Sequence, residues 1–443
     1  MSPSTRQPAT LVVLLLGLTL YLTIPGWFAF HGRHDNDFRH IYLGIQALAE
    51  RESPYPAENL LLQAHRAGMR DAAINPYVYL PFTGLSMIFL HPLPFPAASV
   101  VWFCLNQAML LACLWIMAGS LFPESRLRAI GALLVAAALN FPVVRTLTAG
   151  QLNFVLLLSY CGALALLMRG RDVAAGAVLG FAAVYKLSPA LFIFYFIAVA
   201  RWRAAATMVA SAAACIAISL ICVGWDIHLD FLPMLRQMGY GHSTFEQYKA
   251  IFWKEPSNQS LNSLFTHLMV ADNGITQPWL ALSQEAANTA TRVATAALLL
   301  LIVAAWWKSR SALRPLGSPR TMTLSEQALF QCTILLSLLI PSLLWDHYLI
   351  LLLLPMAWLM RNALETRNVP SVAQTCLWAI MAAVPWNFGS EMFRSGAGIP
   401  GMSIKLLPVL GLYLQCLAVA AGCVNDSPGK PLPEAPQSTA PST

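Results

Sequence analysis

Most of the side chains in this sequence that could do chemistry lie in two short polar stretches and at one isolated lysine. The first stretch is His31-Gly32-Arg33-His34-Asp35-Asn36-Asp37, followed closely by Arg39 and His40. A carboxylate set among such groups can take a proton from a hydroxyl, while neighbouring cations neutralise an anion such as a phosphate. Asp37 and Asp35 are the candidate bases. Arg33, Arg39 and His40 are candidate phosphate neighbours. A plainer reading stands beside this one: both aspartates only satisfy a helix N-terminus, and the bases are ordinary interfacial charges. The second stretch, Trp345-Asp346-His347-Tyr348, separates two apolar runs. It can serve as an interfacial anchor or share a face with Asp37.

Lys186 stands in the middle of an apolar run. A charge at mid-bilayer costs about 2.5–3.5 kcal/mol on insertion scales, so it needs a partner or a polar cavity. Otherwise it must snorkel from a short helix end. Gln151 and Asn153 open a neighbouring run with two amides, and buried amides need partners. They either glue helices together or line a site. Arg145, a few residues earlier, is an anion ligand or a snorkelling end. Asn258-Gln259-Ser260 matches a glycosylation sequon, a weak signal by itself.

These residues must be positioned by membrane helices. Of 443 residues, 57% are apolar and only 11% charged, and the mean hydropathy is +0.60. A soluble domain carries about 25% charged residues. The composition excludes a soluble enzyme, a disordered chain and a nucleic-acid binder. The net charge of +7 reads as a topology signal, since Lys and Arg concentrate in cytoplasmic loops. Nine cysteines sit in or beside apolar segments with no metal-type spacing, so no disulfide framework is expected.

An uncleaved first span runs from Thr10 to Phe30. Later apolar runs lie near 80–91, 97–122, 129–147, 151–168, 173–200, 204–224, 293–307, 325–344, 347–360, 371–388 and 402–423. The 173–200 run is expected to break around Lys186-Leu187-Ser188-Pro189, with Arg169 and Arg171 before it and Arg201 and Arg203 after it on the cytoplasmic side. Lys308, Arg310, Arg314 and Arg320 fill one cytoplasmic loop, and Arg361 and Arg367 another. Loops 31–79 and 226–290 then fall outside. Arg126 and Arg128 conflict with this parity, so one segment near 80–147 does not cross fully. The expectation is an all-α polytopic bundle of about 12 spans forming one domain over 1–423, with both termini cytoplasmic and a disordered tail at 424–443. Phe38, Ile41, Tyr42, Ile45, Leu48 and Ala49 mark one face of an amphipathic helix. It is expected to lie on the outer membrane surface with that face in lipid, capped by Asn36 or Asp35.

The order of motifs resembles glycosyltransferase family 87 of the GT-C superfamily, the polyprenyl-phosphate-mannose-dependent mannosyltransferases. The resemblance runs from about residue 10 to 360. It rests on Asp37-Phe38 to Tyr42 with Ser53-Pro54-Tyr55, on Tyr77-x-Tyr79-x-Pro81 leading to His91-Pro92, and on Gly150-Gln151-Leu152-Asn153. It continues through Ala175-Gly176 to Gly180, Lys186-Leu187-Ser188-Pro189, Asn258-Gln259-Ser260, and Pro341 with Trp345-Asp346-His347-Tyr348. Tyr348 stands where the family pattern often has a second His.

The resemblance implies a GT-C fold with its active site at the outer membrane face, in the plasma (inner) membrane of a bacterium. Asp37, or failing it Asp35, would be the general base. Lys186, Arg145 and His347 are the candidates for holding the donor phosphate. Tyr42, Tyr79, Gln151, Asn153, Asn258, Gln259, Trp345 and Asp346 would line the substrate. The donor would be a polyprenyl-phosphate hexose, mannose first, and the acceptor a glycan or glycolipid. No cofactor or metal is expected, since no carboxylate cluster suggests one. The competing classes are a transporter or lipid flippase, which also uses mid-membrane lysines and broken helices, and a non-catalytic scaffold.

Overall fold

The computed structural model describes residues 3–69, 74–242, 254–310 and 321–422. Arg314, Arg320, Cys423 and the 424–443 tail lie outside the described residues. Among those described the protein is helical, with no strand beyond one isolated bridge between Val270 and Leu282.

Five helices are long and apolar enough to cross a membrane: Gln7–His31, Phe95–Leu121, Trp202–Val223, Gln284–Ser309 and Asp346–Glu365. Two bent pairs raise that to seven if each is one span. Five shorter apolar helices accompany them: Asn153–Met168, Asp172–Tyr185, Ser188–Ala198, Leu324–Leu339 and Val369–Ala383. The long peripheral helices bare Leu15, Leu111, Trp115, Ile218, Ile221 and Leu300. Exposed apolar surface on that scale calls for a lipid solvent. By contrast, Asp346–Glu365 is mostly buried and runs through the middle of the bundle.

Local sequence explains the breaks. The run near 129–147 bends by 68° between Pro123–Ala138 and Phe141–Ala149. Asn140 caps the second helix, its side chain accepting from the Val143 N–H at 3.2 Å, and Pro142 sits in the first turn. Proline is tolerated there because that N–H has no helical partner. The 173–200 run breaks at the expected place: Asp172–Tyr185 ends at an extended Lys186, and a 3-10 turn restarts at Ser188 with Pro189. The 80–91 run yields only Pro81–Ser86 and a single turn at Ile88–Leu90. Gly176 and Gly180 face the Trp202–Val223 helix, where a Cβ would lie 2.2 Å from the Ala204 carbonyl oxygen and 2.3 Å from that of Met208. These two helices meet backbone to backbone, as small residues allow in membranes.

The apolar core falls into two clusters. The larger lies among the membrane helices and includes Tyr160, Phe192, Phe330, Leu349, Ile350, Leu351 and Trp358. The smaller is a cap built mainly from 31–79, with Phe38, Ile41, Ile45, Tyr55, Tyr77 and Trp102. The 31–79 segment is therefore folded, with helices Asn36–Ala49 and Ala57–Arg66. Its amphipathic helix departs from expectation. Phe38, Ile41, Ile45 and Leu48 are fully buried inside the protein, with Phe38 stacked on Phe95 and Trp102. The face expected to meet lipid meets protein. The 226–290 stretch likewise contains the helices Trp225–Arg236 and Leu261–Met269.

Candidate active site

A cavity of about 410 Å³ opens where cap and membrane core meet. The cap contributes Asp37, His40, Asn75 and Tyr79. The membrane helices and their breaks contribute Arg145, Gln151, Lys186, Trp345, His347 and Tyr348. The 226–290 segment adds Gln237, Glu255 and Ser257.

Asp37 and Asp35 have separate fates. Asp35 precedes the Asn36–Ala49 helix in a left-handed conformation and makes no side-chain cap. Its carboxylate accepts instead from the Ser99 hydroxyl and pairs with Arg33 at 3.5 Å. The backbone N–H groups of His34 and Asp35 both donate to the Thr148 carbonyl, at 3.1 and 3.0 Å. Asp35 thus pins the start of the helix and is absent from the cavity wall. Asp37, half-buried in the first helical turn, lines the cavity and accepts from the Asn75 amide at 3.3 Å. The reading in which both aspartates only satisfy the helix end is not what the geometry holds.

The cation side is built from broken helices. Lys186 Nζ donates to Asn153 Oδ1 at 3.3 Å and lies 3.5 Å from the centre of the Tyr348 ring. Among the described residues no carboxylate stands within ion-pair distance of it. The aromatic face attracts the ammonium, and Asp37 acts on it only from beyond ion-pair distance. Asn153 is fully buried and also donates to the His347 carbonyl at 3.2 Å; Thr146 donates to the same carbonyl at 3.0 Å. These two bonds fix the turn that presents His347, whose Nε2 is buried without a partner. Arg145 pairs with Asp346 at 3.2 Å and keeps a half-exposed side chain on the cavity. The Asp37 charge is felt at Lys186, His347 and Tyr348.

Several candidate residues have other duties. The Tyr42 hydroxyl donates to the Leu93 carbonyl at 2.8 Å, and its ring packs on Phe38 and Phe95, away from the cavity lining. Asn153 and Asp346 stand behind the wall and hold Lys186, His347 and Arg145. Asn258 and Gln259 are fully buried clamps. Asn258 donates to the Ser342 carbonyl at 3.0 Å and accepts from the Leu344 N–H at 2.9 Å. Gln259 donates to the Met402 carbonyl at 2.9 Å and accepts from the Lys405 N–H at 3.1 Å. Burial also takes this sequon out of reach of glycosylation. Of the expected phosphate neighbours, Arg33 lies 4.0 Å from the Phe30 ring centre and off the cavity. Burial lowers the His40 pKa to about 4, so its ring is neutral near pH 7 and supplies no charge.

Residues that sequence reasoning missed are Asn75, Tyr185, Gln237, Glu255 and Ser257. Their types and spacing carry no signal. Only the Tyr77-x-Tyr79-x-Pro81 stretch hinted that the chain near Asn75 returns to the site.

An all-helical, lipid-exposed bundle, with a carboxylate above broken-helix cations in one cavity, defines a polytopic membrane protein with an enzyme-like site. The chain belongs to glycosyltransferase family 87, whose pattern matches residues 77–324. It is 28% identical over 166 residues to a polyprenol-phosphate-mannose-dependent alpha-(1-2)-phosphatidylinositol pentamannoside mannosyltransferase of Mycobacterium tuberculosis (strain CDC 1551 / Oshkosh), covering 37% of this chain and 38% of that one. The protein of the same description in Mycolicibacterium smegmatis (strain ATCC 700084 / mc(2)155) is 30% identical over 167 residues, covering 36% and 38%. The chain thus matches little more than a third of either relative's length. No solved structure matches it significantly. The family match includes Arg145, Lys186 and the amides but begins after Asp37, whose role must be argued from geometry.

Proposed function

We propose that the protein is an inverting hexosyltransferase. It moves a hexose, mannose first, from a polyprenyl-phosphate carrier to a hydroxyl of a glycan or glycolipid acceptor. The observation that carries this reading is a single cavity lined by the Asp37 carboxylate together with Arg145, Lys186 and His347. Family membership and the two named relatives support it.

In the proposed reaction the acceptor hydroxyl gives its proton to Asp37 as its oxygen bonds to C1 of the donor sugar. The bond from C1 to the phosphate oxygen breaks on the opposite side, and its electron pair leaves with the polyprenyl phosphate. The configuration at C1 is inverted. A free hydroxyl is far too weak an acid to ionise at neutral pH, so a positioned base is needed. The phosphate gains charge as the bond breaks, and fixed cations favour that state. Lys186, with no carboxylate in ion-pair distance among the described residues, is the main phosphate ligand. Arg145, already shared with Asp346, is the weaker one. His347 donates from its free nitrogen.

The same reading sets the topology. If each of the five long helices, two bent pairs and five shorter apolar helices is taken as one crossing, the count is twelve. The six-residue Pro81–Ser86 helix is about 9 Å long and stays on the outer side. Arg126 and Arg128 then join the other basic clusters inside, which removes the parity conflict. Both termini fall in the cytoplasm and the cavity opens outward, within one domain over 1–423.

The test is incubation of membranes containing the protein with labelled polyprenyl-phosphate mannose and membrane glycolipids. Label in a new glycan, released with inverted anomeric configuration, is the expected result. Movement of the intact lipid across the bilayer without transfer would replace the enzyme by a flippase.

A further inference from the structure

Among the polar side chains on the cavity wall with no task in the reaction as derived, His40 has both ring nitrogens unpaired. It is 3% exposed. The Asn36 carbonyl one turn back is near enough to act on the ring, yet it falls short of a hydrogen bond and can engage only one of the two nitrogens. The ring lies parallel to Tyr79, with centroids 5.9 Å apart and planes 4° apart, and Tyr79 lines the cavity too. A buried donor and acceptor left unpaired are costly, and a native fold seldom leaves such a pair without a purpose.

Position supplies the purpose. His40 follows Asp37 by three residues on the same helix, so the two side chains share a face about 5–6 Å apart. That is roughly the width of a hexose ring. A neutral imidazole offers one donor and one acceptor, which suits a hydroxyl and does not suit a phosphate. Building on the hexosyltransferase reading above, we propose that His40 is a specificity-determining residue that hydrogen-bonds a ring hydroxyl of the transferred hexose while C1 sits beside Asp37. Burial keeps its ring uncharged at neutral pH, which divides the labour in the cavity: cations for the phosphate, an uncharged ring for the sugar.

The test compares wild type, His40→Phe and His40→Asn in membranes, using polyprenyl-phosphate mannose and its 2-, 3-, 4- and 6-deoxy forms. The Phe variant keeps the ring against Tyr79 and removes both nitrogens; Asn restores a donor and an acceptor. The expected result is a roughly tenfold or greater loss of kcat/KM for His40→Phe with the full donor, partly recovered in His40→Asn. One deoxy donor should be impaired to a similar degree in wild type and suffer no further loss in His40→Phe. Equal activity of His40→Phe and wild type overturns the proposal, as does the same loss with all four deoxy donors. If both variants accumulate poorly, wild type alone decides, and tolerance of every deoxy donor overturns it. A wild type inert with the full donor removes the hexosyltransferase reading and this one together; an active wild type matched by His40→Phe removes this one alone.

Discussion

The Asp172–Tyr185 helix carries a charged site at each end, and the two are built on opposite principles. At its start, Arg201 pairs with Asp172 at 2.6 Å and with Glu326 at 2.7 Å, all three buried. Glu326 also closes a capping box with Thr323. At its end, about 21 Å away by helical rise, Lys186 has an amide and a tyrosine ring but, among the described residues, no carboxylate within ion-pair distance. The first cation is fully answered from within the chain and ties three helix ends together. The second touches only neutral groups, with Asp37 acting on it from beyond ion-pair distance, and on the proposed function an anion from outside completes it. On the hexosyltransferase proposal, the contrast separates a charge used for structure from a charge held for a ligand.

Substitutions can break or sharpen that contrast. The largest effect on turnover is expected for Asp37→Asn, which removes the proposed base facing Lys186. Transfer should fall a hundred- to ten-thousand-fold, roughly 3–5 kcal/mol in barrier, with normal protein yield. Undiminished transfer from labelled donor would remove Asp37 from the reaction. Arg201→Met strands two buried carboxylates and should cost roughly 3–5 kcal/mol of stability, read as lost yield and a lower Tm in detergent. A stable Arg201→Met protein would place the charge requirement elsewhere.

Lys186→Met should do the reverse. The Tm should hold or rise, while donor KM climbs roughly 10- to 100-fold, about 1.4–2.8 kcal/mol. An unchanged donor KM would equate the two ends of the helix after all. The smallest effect is expected for Ser99→Ala, which frees one oxygen of Asp35 and should cost roughly 1 kcal/mol. It should appear as a modest drop in kcat with donor KM intact; a raised donor KM would argue that Asp35 acts on the phosphate side.

The helical breaks could be read from the chain because each is written locally. Asn140 with Pro142, and Lys186 through Pro189, stop and restart helices through caps and prolines whose partners lie within a turn. The amphipathic face of Asn36–Ala49 could be read too, since it depends only on periodicity. What covers that face could not, because periodicity does not distinguish lipid from protein, and Phe38 meets Trp102 only once the long stretch between them has folded. The same distance hid the division between Asp35 and Asp37. Their residue types are identical, and Ser99 and Asn75 decide which one is tied down and which one looks into the cavity. Asn258 and Gln259 were marked only by the motif they belong to, and a buried clamp and a substrate ligand use the same amides. Asn75, Gln237 and Glu255 belong to no motif and reach the cavity through tertiary structure alone.

Gly150 ends the Phe141–Ala149 helix at φ +71°, and a Cβ there would lie 2.5 Å from Phe38 Cβ. Its carbonyl accepts from the Trp102 indole at 2.9 Å. One added methyl at this turn would therefore shove the neighbouring helix sideways and carry the aspartate off its mark. A genetic screen for inactive protein would score such a lesion as chemical, although every reactive group would still be present.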